Sequence, residues 1–241
     1  MPDTLGHPRL HLRSTDSTNE RARALAMAGA PHGTLVSAAE QTAGRGRQGR
    51  RWSAPAGSAL LMSLVLRDAP TGLPPLLPLI AGVAVCDVAG EHARIKWPND
   101  VVLERSAGLA KLAGILVEGR PQDGWAVLGI GLNVAVSLAE LPPELHATAA
   151  TLGRPPSAIE PTLRELLTAL ERRMAQPEEC LLEALRARDA LEGRDVSWDV
   201  GAGRVMHGRA AGIDGEGRLV VAVAGGGRAT LSAGEVHLLR R

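Results

Sequence analysis

Residues 42–52 read TAGRGRQGRRW and place Arg45, Arg47, Arg50 and Arg51 on a glycine-spaced segment that ends in Trp52. Guanidinium groups are forked donors suited to carboxylates and phosphates, and glycines let a backbone curl so that its N–H groups face an anion. An anionic ligand is one reading of the segment. Gly/Arg composition alone equally describes a solvated loop or a short arm that touches nucleic acid. Trp52 adds a flat face for a heterocycle, or else an anchor for the strand that follows.

Three further stretches carry polar groups in places that ask for a reason. In KWPND, residues 96–100, Pro98 stiffens a strand-to-turn exit and Asn99 and Asp100 stand at its tip, which turn chemistry alone would explain. Lys111 in AKLAGILVE is a lone cation in an apolar run. Burying it without a negative partner would be costly, and an exposed strand-edge lysine is the plain alternative. In GIGLNV, residues 129–134, the glycines permit close approach and Asn133 offers both donor and acceptor to a purine edge, although a glycine-tolerant core strand fits as well. Neither glycine cluster is a Walker loop or a dinucleotide fingerprint, since no GK[ST] follows and no strand-turn-helix unit frames GxGxxG.

The elements that must position these groups are legible in outline. LHLRSTDSTNERARALAMAGAPHG reads as a strand, a polar turn, and a helix capped by Asp16 or Ser17 and ended near Gly29 and Pro31. GTLVSAAEQ and SALLMSLVLR are strands, which makes the arginine segment a loop between them. Residues 73–90 form a Pro-initiated apolar helix, ARIKWPND a strand meeting a turn, and AKLAGILVEG and WAVLGIGLNV neighbouring strands. Helical periodicity over 161–175 and 178–192 predicts a closing helix pair. From about Gly193 short valine-rich runs alternate with Gly and Asp-Gly turns, the pattern of a small antiparallel barrel or sandwich.

The chain of 241 residues is 45% hydrophobic and 22% charged, a globular balance with room for one substantial core and a small second unit. Its 27 basic and 26 acidic residues nearly cancel, so no global field draws it to nucleic acid or anionic membrane, and any anion site must be local. Phe and Tyr are absent and Trp numbers four, so aliphatic side chains must fill the core. Cys86 and Cys180 show neither metal-ligand spacing nor a disulfide framework, and no signal peptide or spanning apolar run is evident. A cytoplasmic protein is expected.

Taken in order, STN at 17–19, EQTAGRGRQGRRW, KWPND, KLAGILVE, GIGLNV and the C-terminal GIDGEGRLVV…LSAGEVHLL resemble the bacterial biotin–protein ligases, from about residue 10 to the end. The resemblance implies an α+β fold. Residues 1–192 would form a catalytic domain like that of class II aminoacyl-tRNA synthetases and lipoate ligases, with a mixed sheet and flanking helices. Residues 193–241 would form an SH3-like β-barrel, with no DNA-binding domain attached. It also implies that biotin is activated with ATP to biotinyl-5′-AMP and diphosphate, with Mg²⁺, and then passed to a lysine of a biotin carboxyl carrier domain. Sequence-specific DNA and membrane are not expected partners, and a monomer or weak homodimer is. A lipoate or octanoate ligase of the same superfamily and a non-catalytic biotin-binding regulator are the competing readings.

Position by position, the resemblance implies that Ser17, Thr18, Asn19 and Gln41 contact the biotin head, with Arg45, Gly46, Arg47, Lys111 and Gly114 completing that site. Arg47, Arg50, Trp52 and Asn133 would hold ATP and the adenylate. Lys111, Arg45 and Asp100 would be the catalytic groups, Lys111 bridging carboxylate and α-phosphate and Asp100 lying near the adenylate, either to help the acceptor lysine lose its proton or in a structural or Mg²⁺-linked role. The sequence departs from the family pattern in VVLERSAG, which lengthens a hairpin, in Ala150, which replaces a serine, and in GSALLMSL, which lacks an aromatic residue.

Overall fold

A computed structural model describes residues 5–67, 76–106, 108–120, 123–201, 204–232, 234 and 236–239. The expected helix start at 73–75 and Ala107 of the VVLERSAG hairpin lie outside these residues, as do 202–203, 233, 235 and 240–241 of the C-terminal region. The larger sheet is built from β1 (Arg9–Leu12), β2 (Leu35–Ala38), β3 (Ala59–Arg67), β4 (Ala93–Lys96), β5 (Asp100–Arg105), β6 (Gly108–Arg120) and β7 (Trp125–Asn133), in the order β1-β2-β3-β7-β6-β5-β4. β1 and β2 are parallel, joined through helix α1 (Thr18–Met27), and the other neighbours are antiparallel. The sheet is therefore mixed.

The near-continuous apolar run of β3 follows from burial on both faces. On one face Leu60, Met62 and Leu64, with Leu128, Ile130 and Leu132 of β7 and Ile115 of β6, share the main core with helices α2 (Leu77–Ala89) and α3 (Ile159–Met174). Asp87 of α2 accepts from Arg172 and Arg173 of α3 at 2.7–2.9 Å, fastening the two helices. On the opposite face α1 lays Ala22 and Ala26 against Val36, Val65 and Val127. Further along that face the register brings Leu61 and Ser63 of β3 opposite Gly131 and Gly129 of β7, with Gly114 and Leu116 of β6 beyond them. Small residues there leave a trough beside α1.

The second predicted helix of the closing pair, α4 (Glu178–Ala187), stops short of the expected residue 192. The chain instead runs along β4, with Ile95 N donating to Arg188 O at 2.7 Å and Ala190 N to Ile95 O at 2.9 Å, so an open strand edge takes the backbone groups that helix would have used. Next come β8 (Asp195–Asp199), β9 (Val205–Ile213), β10 (Leu219–Ala222), β11 (Arg228–Leu231) and β12 (Val236–Leu238), an antiparallel sheet in the order β11-β10-β9-β8-β12. Its Val196, Trp198, Ala210, Ile213, Leu219, Val221 and Val236 join the main core, and the buried Trp97 indole donates to Gly217 O at 3.0 Å across the junction.

Candidate active site

At the mouth of the trough the chain curls into α1. Ser17 occupies the N-cap position without a side-chain capping bond, and the helix start is capped from elsewhere. Gln41 Oε1 accepts from Thr18 N at 2.7 Å and from Thr18 Oγ1 at 3.1 Å, satisfying one of the orphan donors of the helix terminus. Asp16, the other expected cap, accepts from Ser17 N at 2.7 Å, and that bond, followed by one from the Thr15 hydroxyl, holds its carboxyl below the usual carboxylate range. Ser17, Thr18 and Asn19 are all buried despite their polarity. Ser63, itself fully buried, has its hydroxyl oxygen 2.8 Å from Thr18 Oγ1 and 2.6 Å from Asn19 Oδ1, with one proton to give to either. A methyl group on Gly129 would lie 2.0 Å from Asn19 Oδ1, so glycine there is what lets Asn19 lie on the sheet.

The arginine segment is a hairpin, a more regular form than the loop expected. Arg45 bridges to Arg51, Trp52 N donates to Gly44 O at 2.9 Å, Gly46 N donates to Arg50 O at 2.7 Å, and the tip turns through Gln48 and Gly49 at positive φ. Side chains lock it to its surroundings. Arg45 pairs with Glu20 of α1 and, at 3.1 Å, with Glu118 of β6. Arg47 donates to Asn99 Oδ1 at 2.8 Å and to Gly234 O of the C-terminal region at 3.1 Å. Trp52 packs with Ala59, Leu61, Leu141 and Ala149, its ring resting on the glycine floor, where a methyl on Gly131 would meet Cε2 at 2.5 Å and one on Gly114 would meet Cζ3 at 3.1 Å. Its Nε1 is buried with no hydrogen-bond partner among the described residues.

Lys111 reaches this face through a β-bulge. Val101 pairs with Ala113 but Val102 with Lys111, so Leu112 is the extra residue and the alternation reverses. Lys111 thereby shares the face of Gly114, and its Nζ lies 2.8 Å from Asp100 Oδ1 and 5.6 Å from the Trp52 ring centroid. The Lys111 side chain is 39% exposed and has Asp100 as its negative partner, while its backbone is pinned, N donating to Thr148 O at 2.6 Å and O accepting from Ala150 N at 2.7 Å. Asn133 is buried, with Nδ2 donating to Ala150 O at 2.8 Å. The β5–β6 hairpin of VVLERSAG pairs as far as Arg105 and Gly108.

All the residues singled out from the sequence line one cleft of about 1210 Å³: Ser17, Thr18, Asn19, Gln41, Arg45, Gly46, Arg47, Arg50, Trp52, Asp100, Lys111, Gly114 and Asn133. Arg194, Asp195 and His237 of the C-terminal sheet also border it. The reading missed Ser63 and Glu118, and it took Gly129 and Gly131 as room for a ligand rather than as the seats of Asn19 and Trp52. Ser63 was signalled by a lone hydroxyl in an apolar strand and Glu118 by a lone acid closing KLAGILVE. Chemically, the cleft joins a buried patch of amide and hydroxyl groups to an ammonium–carboxylate pair and an aromatic face under an arginine hairpin. Among the described residues no three metal-ligating side chains converge, and no helix is long and apolar enough to cross a membrane.

Residues 11–134 match the biotin/lipoate A/B protein ligase family, and residues 199–239 match the biotin protein ligase C terminal domain. The biotin–[acetyl-CoA-carboxylase] ligase of Mycobacterium tuberculosis is 37% identical over 94% of this chain and 87% of its own length. The enzyme of that name from Paracoccus denitrificans is 34% identical over 93% and 98%. The biotin protein ligase of Aquifex aeolicus in complex with biotin and ATP superposes with a TM-score of 0.78 at 26% identity, covering 98% of this chain and 100% of that one. Cleft, hairpin and both matched segments lead to one conclusion: the chain belongs to the biotin/lipoate A/B protein ligase family, in its biotin protein ligase branch.

Proposed function

We propose that this protein activates biotin with ATP and transfers it to a lysine of a biotin carboxyl carrier domain. The observation that carries the reading is the convergence, in one cleft, of the buried polar pocket at Thr18 and Asn19, the Lys111–Asp100 pair and Trp52 on its glycine floor. In the first step a biotin carboxylate oxygen attacks the α-phosphorus and diphosphate leaves, giving biotinyl-5′-AMP. Lys111 is placed to neutralise charge that concentrates between carboxylate and phosphate, an effect that a water-poor site amplifies. Ser17, Thr18, Asn19 and Gln41 present donors and acceptors to the ureido ring, with Gly46 and Gly114 admitting the ligand closely. Arg47 and Arg50 serve the phosphate, while Trp52 and Asn133 serve adenine. In the second step the acceptor amine attacks the acyl carbon, AMP leaves, and Asp100, which lines the cleft beside Lys111, takes the amine's proton.

Asp100 is already held by Lys111, so Mg²⁺ is assigned to the ATP phosphates with which it arrives, where it would offset their charge. The mixed sheet with its helices is read as a class II synthetase-like domain over 1–192. The five-stranded antiparallel sheet is read as an SH3-like barrel over 193–241. A cytoplasmic monomer or weak homodimer without sequence-specific DNA affinity completes the proposal.

The test is incubation with labelled biotin, ATP, Mg²⁺ and a carrier domain, with lipoate as the competing acid. Biotin-dependent diphosphate release and label on the carrier are expected, and release that lipoate supports better than biotin overturns the assignment. Lys111→Ala should depress adenylate formation far more than biotin binding, because its charge matters most in the transition state.

A further inference from the structure

Asn19 and Arg45 approach the cleft from different elements, and one side chain holds both. Glu118 of β6 accepts from Asn19 Nδ2 through Oε2 at 2.9 Å and pairs with Arg45 Nη2 through Oε1 at 3.1 Å. Glu118 is not among the cleft-lining residues, so it stands behind the two groups that a ligand would meet. Asn19 has no slack. Its oxygen is held by Ser63 at 2.6 Å, its nitrogen by Glu118, and Gly129 presses from below, which leaves the amide a single orientation. The other terminal nitrogen of Arg45 pairs with Glu20 of α1, whose carboxylate also meets Arg23 at 3.1 Å. The first arginine of the hairpin is thus clamped between the helix that carries Asn19 and the strand that orients it.

From this geometry we infer that Glu118 is a positioning residue that couples occupation of the pocket at Asn19 to closure of the arginine hairpin. The inference rests on biotin being the ligand of that pocket. Arg45 then acts chiefly as a latch, its guanidinium engaged by protein carboxylates, and the hairpin's contacts to phosphate fall to Arg47 and Arg50. The carboxylate has one oxygen for each partner. The latched Arg45 holds Glu118 where it orients the Asn19 amide, so closure of the hairpin prepares the pocket, and by reciprocity a ligand bound at the oriented Asn19 favours the latched hairpin by the same factor.

The hairpin carries tryptic sites at Arg45, Arg47, Arg50 and Arg51, and cleavage reports the population of its open form when opening is fast. Glu118→Gln preserves size and removes the charge. It should speed cleavage of the ligand-free protein within 45–51 roughly two- to fivefold, the range for a partly exposed ion pair, and abolish most of the added protection that biotin gives the parent. Biotin KM should rise roughly fivefold with kcat within about twofold, whereas a purely structural lesion would lower kcat and thermal stability together. Arg45→Gln cuts the link from the surface side and leaves the other tryptic sites in place. The double variant should open no more than the worse single one, because both remove one connection. Unchanged cleavage in both variants, or effects that add, overturns the latch. If the parent shows no calorimetric biotin binding while Glu118→Gln still speeds cleavage, the ligand assignment fails and the latch stands, so the two failures are separable.

Discussion

Replacing Gly131 by alanine puts the glycine floor to a direct test. The added methyl would stand 2.5 Å from Trp52 Cε2 and 2.8 Å from its Nε1. Restoring an ordinary carbon–carbon contact of about 3.5 Å requires roughly 1 Å of movement. Gly131 is paired on both sides within the sheet, so the indole, on its hairpin, must give way. Overpacking of this kind costs about 1–3 kcal/mol. If the penalty falls on the arrangement that holds the nucleotide, kcat/KM for ATP drops roughly 5- to 150-fold while thermal stability changes little. A cycle with Trp52→Ala isolates the cause, since once the indole is gone the methyl has nothing to strike. The double variant should match Trp52→Ala alone in biotin-dependent diphosphate release. Additive losses, or a large fall in melting temperature for Gly131→Ala in the Trp52→Ala background, would refute the reasoning.

Asp87→Asn should destabilise the fold by about 2–4 kcal/mol near neutral pH, because it leaves Arg172 and Arg173 facing a neutral amide at a site where the carboxylate is 13% exposed. Burial alone would raise the Asp87 pKa, but Arg173 and then Arg172 outweigh it and lower the value. A depressed carboxyl contributes fully above its unfolded pKa of about 4, so the gap between parent and variant in urea melts should be constant at neutral pH and shrink as pH falls below that value. Thiol titration at mild alkaline pH should find Cys180 reactive and Cys86 silent, since burial above all pushes the Cys86 thiol up to about 12; both should react in denaturant.

The strands and helices were legible because each has a local signature, such as the unbroken apolar run of β3 or the polar turn before α1. The cleft was legible through residue type and order, with the resemblance supplying roles that spacing alone left open. What stayed hidden depends on register. Lys111 read as an anomaly because its neighbours are apolar, and only the bulge at Leu112 explains how it reaches the face of Gly114. The glycines of GIGLNV looked like room for a ligand, whereas Asn19 and Trp52 lie on them. The link from Arg45 to Glu118 joins residues far apart in sequence, and no local pattern marks it. Helix α4 ended early for a tertiary reason, the open edge of β4, that periodicity does not record.

The placement of the indoles has an optical consequence. The chain has no tyrosine or phenylalanine, so its near-ultraviolet absorption and emission come from tryptophan alone, with no energy transfer from tyrosine to blur them. Trp97, Trp125 and Trp198 are buried in the core and form a steady background. Trp52 alone of the four borders the cleft, with an ammonium over its ring and an N–H that has no hydrogen-bond partner among the described residues. Any molecule that stacks on that ring, or draws Lys111 away from it, alters the light the protein emits. The protein therefore carries its own occupancy gauge, readable without label or carrier in the first moments after mixing.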